Sequence, residues 1–372
     1  MIFNSIRSTD VGSFPLIQVD MRRYRQGAWD IEEGISSDDA DYFVTQHNEI
    51  FEKKFKALGS NQSVPCYVQS SYSRDMLTQF LDPIVRHGQG INKLDEAYLW
   101  DGRPIQLPSK NSQIAELLAL KKGAKTICDV HEIEHITYRA CITGPFEMMT
   151  RLWRGMGIAP RYDESLIEAF AIIIRQYMIN ANIETKYMKP LVFTLDEPSV
   201  GVTGIGDLFI DAESDTNLSH LLSCWNPIIA QIPQHCFRGL HLHASPYHQL
   251  IHANWNLLEA HIGVSVPRNW LSEHDRYIRA AILRTEGPTF PPGTDLKAAW
   301  AEIQSGNYSP YLQSKLEMLN HLKNAIKEYG RDRIPFAGPE CGLGPWDWKY
   351  GDTMAITSLQ RLNEVVTEFN QG

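Results

Sequence analysis

The sequence contains no long hydrophobic run. Its apolar runs are short, and the six residues at 169–174 are typical. A helix that crosses a bilayer needs about 20 consecutive apolar residues, so a membrane span is not expected. The first ten residues, MIFNSIRSTD, also lack the apolar stretch and the cleavage site of a signal peptide. We therefore expect a cytoplasmic protein without a membrane partner.

Positive charge is in deficit. The chain has 35 Lys and Arg residues against 44 Asp and Glu residues, which gives a formal net charge of −9. A protein this acidic does not attract a phosphate backbone over its surface as a whole. Nucleic acid is therefore not an expected partner.

Closely spaced cysteine pairs are absent. The six cysteines stand far apart, at positions 66, 128, 141, 224, 236 and 341, and no CxxC motif occurs. This spacing excludes a dense disulfide framework and fits free thiols in a reducing compartment. Any single cysteine remains available as a metal ligand.

The chain also lacks internal repeats, low-complexity segments and a Gly/Ser-rich linker, so we predict one domain over residues 1–372. Short apolar runs alternate with helical patterns, which indicates parallel βα units. No Gly-rich dinucleotide fingerprint follows the first strand, and this favours a barrel over a Rossmann sheet. We predict an α/β fold, a (β/α)8 TIM barrel, with insertions at about 77–135 and 267–310.

Six apolar runs predict strands, at 63–69, 137–143, 191–196, 239–243, 259–266 and 334–337. The clearest helix spans 311–329, because leucine and isoleucine residues recur there at spacings of three and four. These are Leu312, Leu316, Leu319, Leu322 and Ile326. Gly330 follows as a plausible end of the helix.

Two histidines, His241 and His243, lie two apart in a predicted strand. Side chains alternate along a strand, so both imidazoles point to the same face. Cys341, in a Gly/Pro-rich turn after the last predicted strand, offers a thiolate, and imidazole with thiolate suits zinc. Three protein ligands with an open position are typical of a catalytic zinc site. The alternative is a chance HxH pair with no metal.

The fourth ligand is left open by the sequence. Glu259 and His261 are the nearest candidates, and a water molecule is a third. His248 and His252 also follow closely, but we expect them on the surface of the next helix.

Several motifs occur together in one order along nearly the whole chain. They are VGSFP at 11–15, RDM at 74–76, ITGP at 142–145, LDEP at 195–198, HLH at 241–243 and PECGL at 339–343. Together they resemble the catalytic C-terminal barrel of cobalamin-independent methionine synthase, including its single-domain archaeal-type form. This family lies within the uroporphyrinogen decarboxylase-like barrels.

The resemblance implies a zinc-dependent methyltransferase that converts homocysteine to methionine. It implies that His241 and Cys341 bind zinc, with His243 in place of a family cysteine, and we take Glu259 as the fourth ligand. A cation at such a site holds an acceptor thiol as thiolate. The Cys-to-His change makes the centre more positive and admits a metal other than zinc.

The resemblance also implies the substrate-binding residues. Gly12 and Ser13 belong to the family's thiol pocket, and Asp196, the expected catalytic residue, orients the amino group of the acceptor. Glu197 is assigned to substrate binding, with a structural role as an equal alternative. For both carboxylates the alternative is that they hold a loop by accepting backbone N–H groups.

One departure concerns the acceptor. The family carries a glutamate before the RDM-like motif that grips the homocysteine amino group, whereas residues 67–73 here contain no carboxylate. A buried ammonium without a counter-charge is costly. Three functions are therefore considered. The first is methyl transfer to homocysteine, and the second is alkyl transfer to another thiol, such as a coenzyme M-like one. The third is not a transferase: the barrel binds a metal or ligand, or acts as a decarboxylase-like lyase.

The methyl donor is expected to be a folate or a corrinoid protein. Trp153, Trp346 and Trp348 offer flat aromatic faces for such a donor, and packing in the core or at its rim is the alternative. The sequence does not fix the oligomeric state, and a homo-oligomer is compatible with it.

Overall fold

Parallel strands form the wall of a nearly closed barrel in the computed structural model, which describes residues 5–70, 74–153, 162–202, 215–246 and 248–372. In chain order the strands are β1 (Arg7–Thr9), β2 (Ser13–Phe14), β3 (Ser63–Val64), β4 (Gln69–Ser70), β5 (Ile91–Leu94), β6 (Ala97–Trp100), β7 (Ile136–Thr143), β8 (Leu152–Trp153), β9 (Met188–Asp196), β10 (Phe237–Leu242), β11 (Leu257–Ala260), β12 (Tyr277–Leu283) and β13 (Phe336–Pro339).

The barrel strands follow the order β3-β1-β13-β12-β11-β10-β9-β7, all parallel. The two ends of this sheet meet through a bridge between Cys66 and Arg139, where the Arg139 amide donates to Pro65 O at 2.9 Å. The predicted (β/α)8 barrel is confirmed. In such a barrel the carboxyl ends of the strands form one rim, where functional side chains collect.

Helices cover the outside of the barrel. They are α1 (Met21–Glu33), α2 (Asp38–Ala57), α3 (Thr78–His87), α4 (Ala115–Val130), α5 (Pro145–Thr150), α6 (Glu164–Ala181), α7 (Asp215–Ile229), α8 (Arg268–Glu273), α9 (Leu296–Ser305), α10 (Lys315–Tyr329) and α11 (Gly351–Gln371). Within the described part of the chain, no helix combines the length and the apolar composition that a membrane span requires.

The helix predicted at 311–329 is shorter at its start. Ser314 caps α10, because its hydroxyl accepts from the Glu317 amide while the Glu317 side chain bonds back to Ser314. Within this helix Leu322 is fully buried, whereas Leu316 is 67% exposed.

The two predicted insertions contain barrel elements as well as additions. Residues 77–135 hold α3 and the β5–β6 hairpin, but also α4, a helix with a largely buried apolar face. Residues 267–310 contain β12, which lies between β11 and β13 in the barrel wall. This strand escaped prediction because Arg279 interrupts its apolar run and Pro- and Gly-rich segments follow it.

The barrel interior is layered. An apolar plug closes the amino-terminal end and consists of Val64, Val192, Phe237, Leu257, Tyr277 and Phe336. Two residues further along these strands the inward side chains become polar or charged, with Thr194, Glu259 and Arg279. Two residues further again, Asp196 and His241 reach the carboxyl rim. Period-two alternation along parallel strands produces this stacking.

Candidate metal centre

Three histidines and a cysteine converge at the carboxyl rim of the barrel. One donor atom from each of His241, His243, His261 and Cys341 lies within 4.8 Å of the other three. The sequence predicted three of these residues as ligands and gave His261 as an alternative for the fourth.

The strand ends explain why these residues meet. β10 ends at Leu242, so His241 is its last inward residue and His243 follows directly. The adjacent strand β11 ends at Ala260, and His261 is the next residue. Cys341 lies two residues beyond β13. Carboxyl ends of parallel strands lie at the same edge, so residues distant in sequence share one site.

The contact between Cys341 and His243 has the spacing of two donors on one tetrahedral metal. The Cys341 Sγ atom lies 3.5 Å from His243 Nε2. The His243 and His261 ring centroids are 4.1 Å apart, and the His241 ring is nearly perpendicular to that of His243, at 86°. Bonds of about 2.0–2.3 Å to zinc place tetrahedral donors roughly 3.3–3.8 Å apart.

Unpartnered nitrogens mark the same place. Both ring nitrogens of His241 and the Nε2 atom of His261 are buried without a hydrogen-bond partner among the described residues. A buried polar atom without a partner costs about 1–3 kcal/mol and calls for an explanation. A metal ion would satisfy one nitrogen of each ring, so the unpartnered atoms and the mixed imidazole and thiolate donors both fit zinc.

Protonation also favours the donor forms of the histidines. Burial lowers the pKa of His243 to about 4, and burial together with the neighbouring His243 lowers the pKa of His241 well below its ordinary value. The imidazoles are therefore neutral at pH 7. Burial raises the pKa of the Cys341 thiol to about 11, so this residue must lose a proton to bind a cation.

Glu259 lies one layer below the donors and outside their group. Its carboxylate accepts hydrogen bonds from Arg139 Nη2 at 2.7 Å, Arg279 Nε at 3.0 Å and Thr194 Oγ1 at 3.0 Å. Burial alone would raise the pKa of Glu259, but the two arginines hold it below its ordinary value. The structure thus brings His261, rather than Glu259, into the donor group as its fourth member.

Asp196 ends β9 beside the donor group. Its Oδ1 atom is buried without a partner among the described residues. Burial and the adjacent Cys141 raise the pKa of Asp196 well above its ordinary value. An unfilled buried acceptor at a rim suits a donor group of a ligand.

Glu197 is already bound by the protein. Its carboxylate accepts from the amides of Phe146 at 3.1 Å and Glu147 at 2.7 Å, and from Trp225 Nε1 at 2.8 Å. A Cβ atom on Gly144 would lie 2.2 Å from this carboxyl group, so only glycine fits there. These contacts anchor the start of α5, which is the structural role left open by the sequence.

Ser13 packs against the turn that carries Cys341, and Gly12 before it packs against Cys66. Gly12 has a φ of +99°, and a Cβ there would lie 2.8 Å from Cys66 Sγ. Ser13 O accepts from the Leu343 amide at 2.8 Å, and a Cβ on Gly342 would lie 2.4 Å from Ser13 Cβ. The GSFP and PECGL motifs therefore form one contact beside the centre.

A buried lysine supports this rim and was not predicted. Lys54 Nζ lies 2.8 Å from Asp10 Oδ2 and 2.6 Å from Cys66 O. Asp10 in turn accepts from the amides of Cys66 at 2.7 Å and Gly12 at 3.2 Å. A lone lysine in a helix gives no sequence signal of this kind, because such residues are mostly exposed.

The three tryptophans proposed for contact with a methyl donor differ in their exposure. Trp346 is buried, donates to Thr285 O at 2.9 Å and stacks on Trp348 at 6.0 Å, so it packs rather than faces a ligand. Trp348 is half-buried, and Trp153 is 39% exposed. His248 and His252 are both exposed, in a 3-10 helix.

The segment at 67–73 is described only to residue 70. Gln69 lies opposite Ser13 in the β2–β4 pair and donates to Gln79 Oε1 at 2.8 Å. Gln79 in turn donates to Glu116 Oε2 at 2.8 Å. Residues 71–73 of the predicted acceptor-binding segment lie outside the described residues.

No family model and no curated protein matches the sequence. Solved structures resemble the fold, and two of them are methionine synthases by description. A B12-independent methionine synthase from Shewanella sp. W3-18-1, in complex with selenomethionine, aligns with a TM-score of 0.58 at 12% identity. A putative vitamin-B12-independent methionine synthase from Listeria monocytogenes aligns with a TM-score of 0.56 at 13% identity. Each alignment covers 98% of both chains. The chain shares their barrel fold.

The metal content of the purified protein tests the centre. We expect about one zinc per chain, and loss of most of it in His241→Ala and in Cys341→Ala, because each change removes a donor. His252→Ala is the matched control, because this exposed histidine follows the same strand, β10, but does not belong to the donor group. Elemental mass spectrometry measures the ratio. Wild-type protein that stays metal-free after zinc is supplied would disprove the site.

Proton release tests the state of Cys341. Because the thiol has a pKa of about 11 and the His243 pKa is about 4, only the thiol is protonated at neutral pH. Zinc binding should then release about one proton, and the apparent affinity should rise about tenfold per pH unit from pH 6 to 9. Calorimetry in buffers of different ionisation enthalpy counts the protons. A Cys341→Ser variant that retains the same pH slope would contradict this assignment.

Proposed function

We propose that the protein is a zinc-dependent methyltransferase that moves a methyl group to a thiol, in the manner of methionine formation from homocysteine. The observation that carries the proposal is the group of three histidines and one cysteine at the carboxyl rim of a barrel. The fold shared with two methionine synthase structures supports it. The order of motifs along the sequence supports it independently.

His241, His243, His261 and Cys341 would hold the metal. Bound there, zinc would keep an acceptor thiol deprotonated at neutral pH and so supply the nucleophile. Four protein donors fill a tetrahedral ion, so the thiol would take a fifth position or replace one of the four. The protein surroundings restrict water, since His241 is 2% exposed and the rim residues beside it are buried or half-buried. We retain zinc as the proposed metal because mixed imidazole and thiolate donors suit it.

Asp196 is the residue proposed to orient the acceptor. Its free Oδ1 atom lies at the end of β9, next to His241 in the register of the sheet. An ammonium or another N–H donor on the acceptor would fill this hydrogen-bonding site. Ser13, on the Gly12–Ser13 turn beside Cys341, would bound the opposite side of the pocket.

A second candidate function has a different thiol as acceptor. It is favoured by residues 67–70, which carry no carboxylate and whose Gln69 side chain is committed to Gln79. Asp196 is then the carboxylate proposed for an amino group, and a thiol without an amino group, such as 2-mercaptoethanesulfonate, is the alternative substrate. The metal site and the fold support both candidates equally.

For the donor we propose a methylated folate or a methylated corrinoid protein, and for the location the cytoplasm. All six cysteines are free, as a reducing compartment requires. Trp153 is the exposed aromatic side chain proposed for donor contact, because Trp346 is used in packing.

A methyl-transfer assay tests the function. Zinc-loaded protein is incubated with homocysteine or 2-mercaptoethanesulfonate and with 5-methyltetrahydrofolate or methylcobalamin. Mass spectrometry then detects the methyl thioether. We expect product with wild type and with His252→Ala, and none with Cys341→Ser. A zinc-loaded protein that methylates neither thiol would favour the non-transferase barrel.

Asp196→Asn separates the two acceptors. If Asp196 takes an amino group, the variant should bind homocysteine about 10- to 100-fold more weakly, because a charge-assisted hydrogen bond contributes about 1.5–3 kcal/mol. Binding of 4-mercaptobutyrate, which has the thiol and carboxylate but no amino group, should stay unchanged. Calorimetry on the zinc-loaded protein measures both. Equal binding of the two thiols by wild type would instead favour an acceptor without an amino group.

A further inference from the structure

We propose that Arg279 is a positioning residue for the metal centre, which ties the turn carrying Cys341 to the carboxylate beneath His241. This inference rests on the proposed metal site but not on the identity of acceptor or donor. Arg279 lies on β12, the strand between β11 and β13. It is 1% exposed and touches none of the proposed ligands through a hydrogen bond of its side chain.

The guanidinium of Arg279 joins two parts of the rim. Its Nε atom donates to Glu259 Oε2 at 3.0 Å. On the other side Nη1 donates to Pro339 O, and Nη2 donates to Glu340 O at 3.3 Å. Pro339 and Glu340 immediately precede Cys341, so this side chain holds the backbone from which the thiol projects.

Glu259 lies beside His241. The two residues are paired in register across β10 and β11, and Glu259 Oε2 lies 3.9 Å from His241 Nδ1, which is an ion-pair distance and longer than a hydrogen bond. A carboxylate beside a ligating histidine orients the ring when it accepts the outer N–H. One planar side chain, Arg279, thus spans the positions of a thiol donor and an imidazole donor.

The backbone makes room for this contact. A Cβ atom on Gly338 would lie 2.9 Å from Arg279 Nη1 and 2.7 Å from Thr9 O. Glycine at this position lets the guanidinium lie against the end of β13. The close approach is therefore built into the strand.

Lysine cannot replace these contacts. A guanidinium donates in fixed directions to several acceptors at once, whereas an ammonium is a compact charge on a flexible stem. Arg279→Lys keeps the charge beside Glu259 but loses the fork that reaches both carbonyls. Loss of such an outer contact typically lowers metal affinity by about 10- to 100-fold.

Arg139 provides a matched control. It lies on β7 and binds the same carboxylate, with Nη2 at 2.7 Å from Glu259 Oε2. The other hydrogen bond of its side chain, among the described residues, goes to Thr194 Oγ1 at 3.0 Å. Arg139→Lys therefore disturbs the same buried ion-pair network without touching the turn that carries Cys341.

The experiment compares wild type, Arg279→Lys and Arg139→Lys. Zinc affinity is measured by competition with a chromogenic chelator, and cobalt(II) is bound in place of zinc to record the thiolate-to-cobalt charge-transfer band. We expect Arg279→Lys to bind zinc about 10- to 100-fold more weakly and to shift or weaken that band, and Arg139→Lys to keep the band with affinity within about threefold of wild type. Thermal unfolding checks that each variant is folded.

Equal loss of affinity in the two variants would overturn the inference, because a general role of the ion-pair network would then explain it. Unchanged affinity and spectrum in folded Arg279→Lys would overturn it as well. A wild type that binds neither metal would overturn the metal centre itself, and the inference with it. If Arg279→Lys does not fold, Glu259→Gln keeps the shape and removes the charge, and it should weaken zinc binding more than Arg139→Lys does.

Discussion

The carboxylate of Glu259, clamped between two buried arginines, is the interaction on which the rest of the barrel interior depends. Glu259, Arg139 and Arg279 are each at most 1% exposed. Removing three charges from water is costly, and it is tolerated only when each has a partner of opposite sign and its remaining hydrogen-bonding atoms are used. Loss of Glu259 would leave two guanidinium groups facing each other across the barrel. The charged layer lies between the apolar plug below it and the histidines above it.

This arrangement gives the rim a distinct electrostatic character. Two arginines face one carboxylate, so the layer below the donors is positive. Three neutral imidazoles with one thiolate would leave a divalent ion at the proposed site only partly neutralised. Asp196, with its unfilled acceptor atom, and Glu340 are the nearby acidic residues. Such surroundings favour an anionic ligand over a neutral one. An ionised thiol is therefore a better match for this rim than a thioether or an alcohol.

Sequence reasoning located the barrel, the HxH pair and Cys341, because these rest on local rules: alternation along a strand, and the common edge of parallel strand ends. It could not choose between Glu259 and His261. Alternation places both on the inward face, and which one reaches the rim depends on where β11 ends and on the stagger between strands. The partners that hold Glu259 lower down come from positions 139 and 279, far away in the chain. The sequence also did not predict β12, because Arg279, which binds Glu259 in the interior, interrupts the apolar run of this strand.

The hydrogen bonds that connect Gln69, Gln79 and Glu116 restrict which acceptor the protein can bind. Glu116 is paired with Arg74 at 2.9 Å and can only accept, so Gln79 must donate its Nε2 hydrogen there and accept through Oε1. Gln69 must then donate its own Nε2 hydrogen to Gln79, which leaves its carbonyl oxygen as the group facing other partners. A neutral amide oxygen holds an ammonium far less strongly than a carboxylate does. Any preference for an amino-acid thiol would therefore come mainly from Asp196, whose unpartnered oxygen lies at the end of β9.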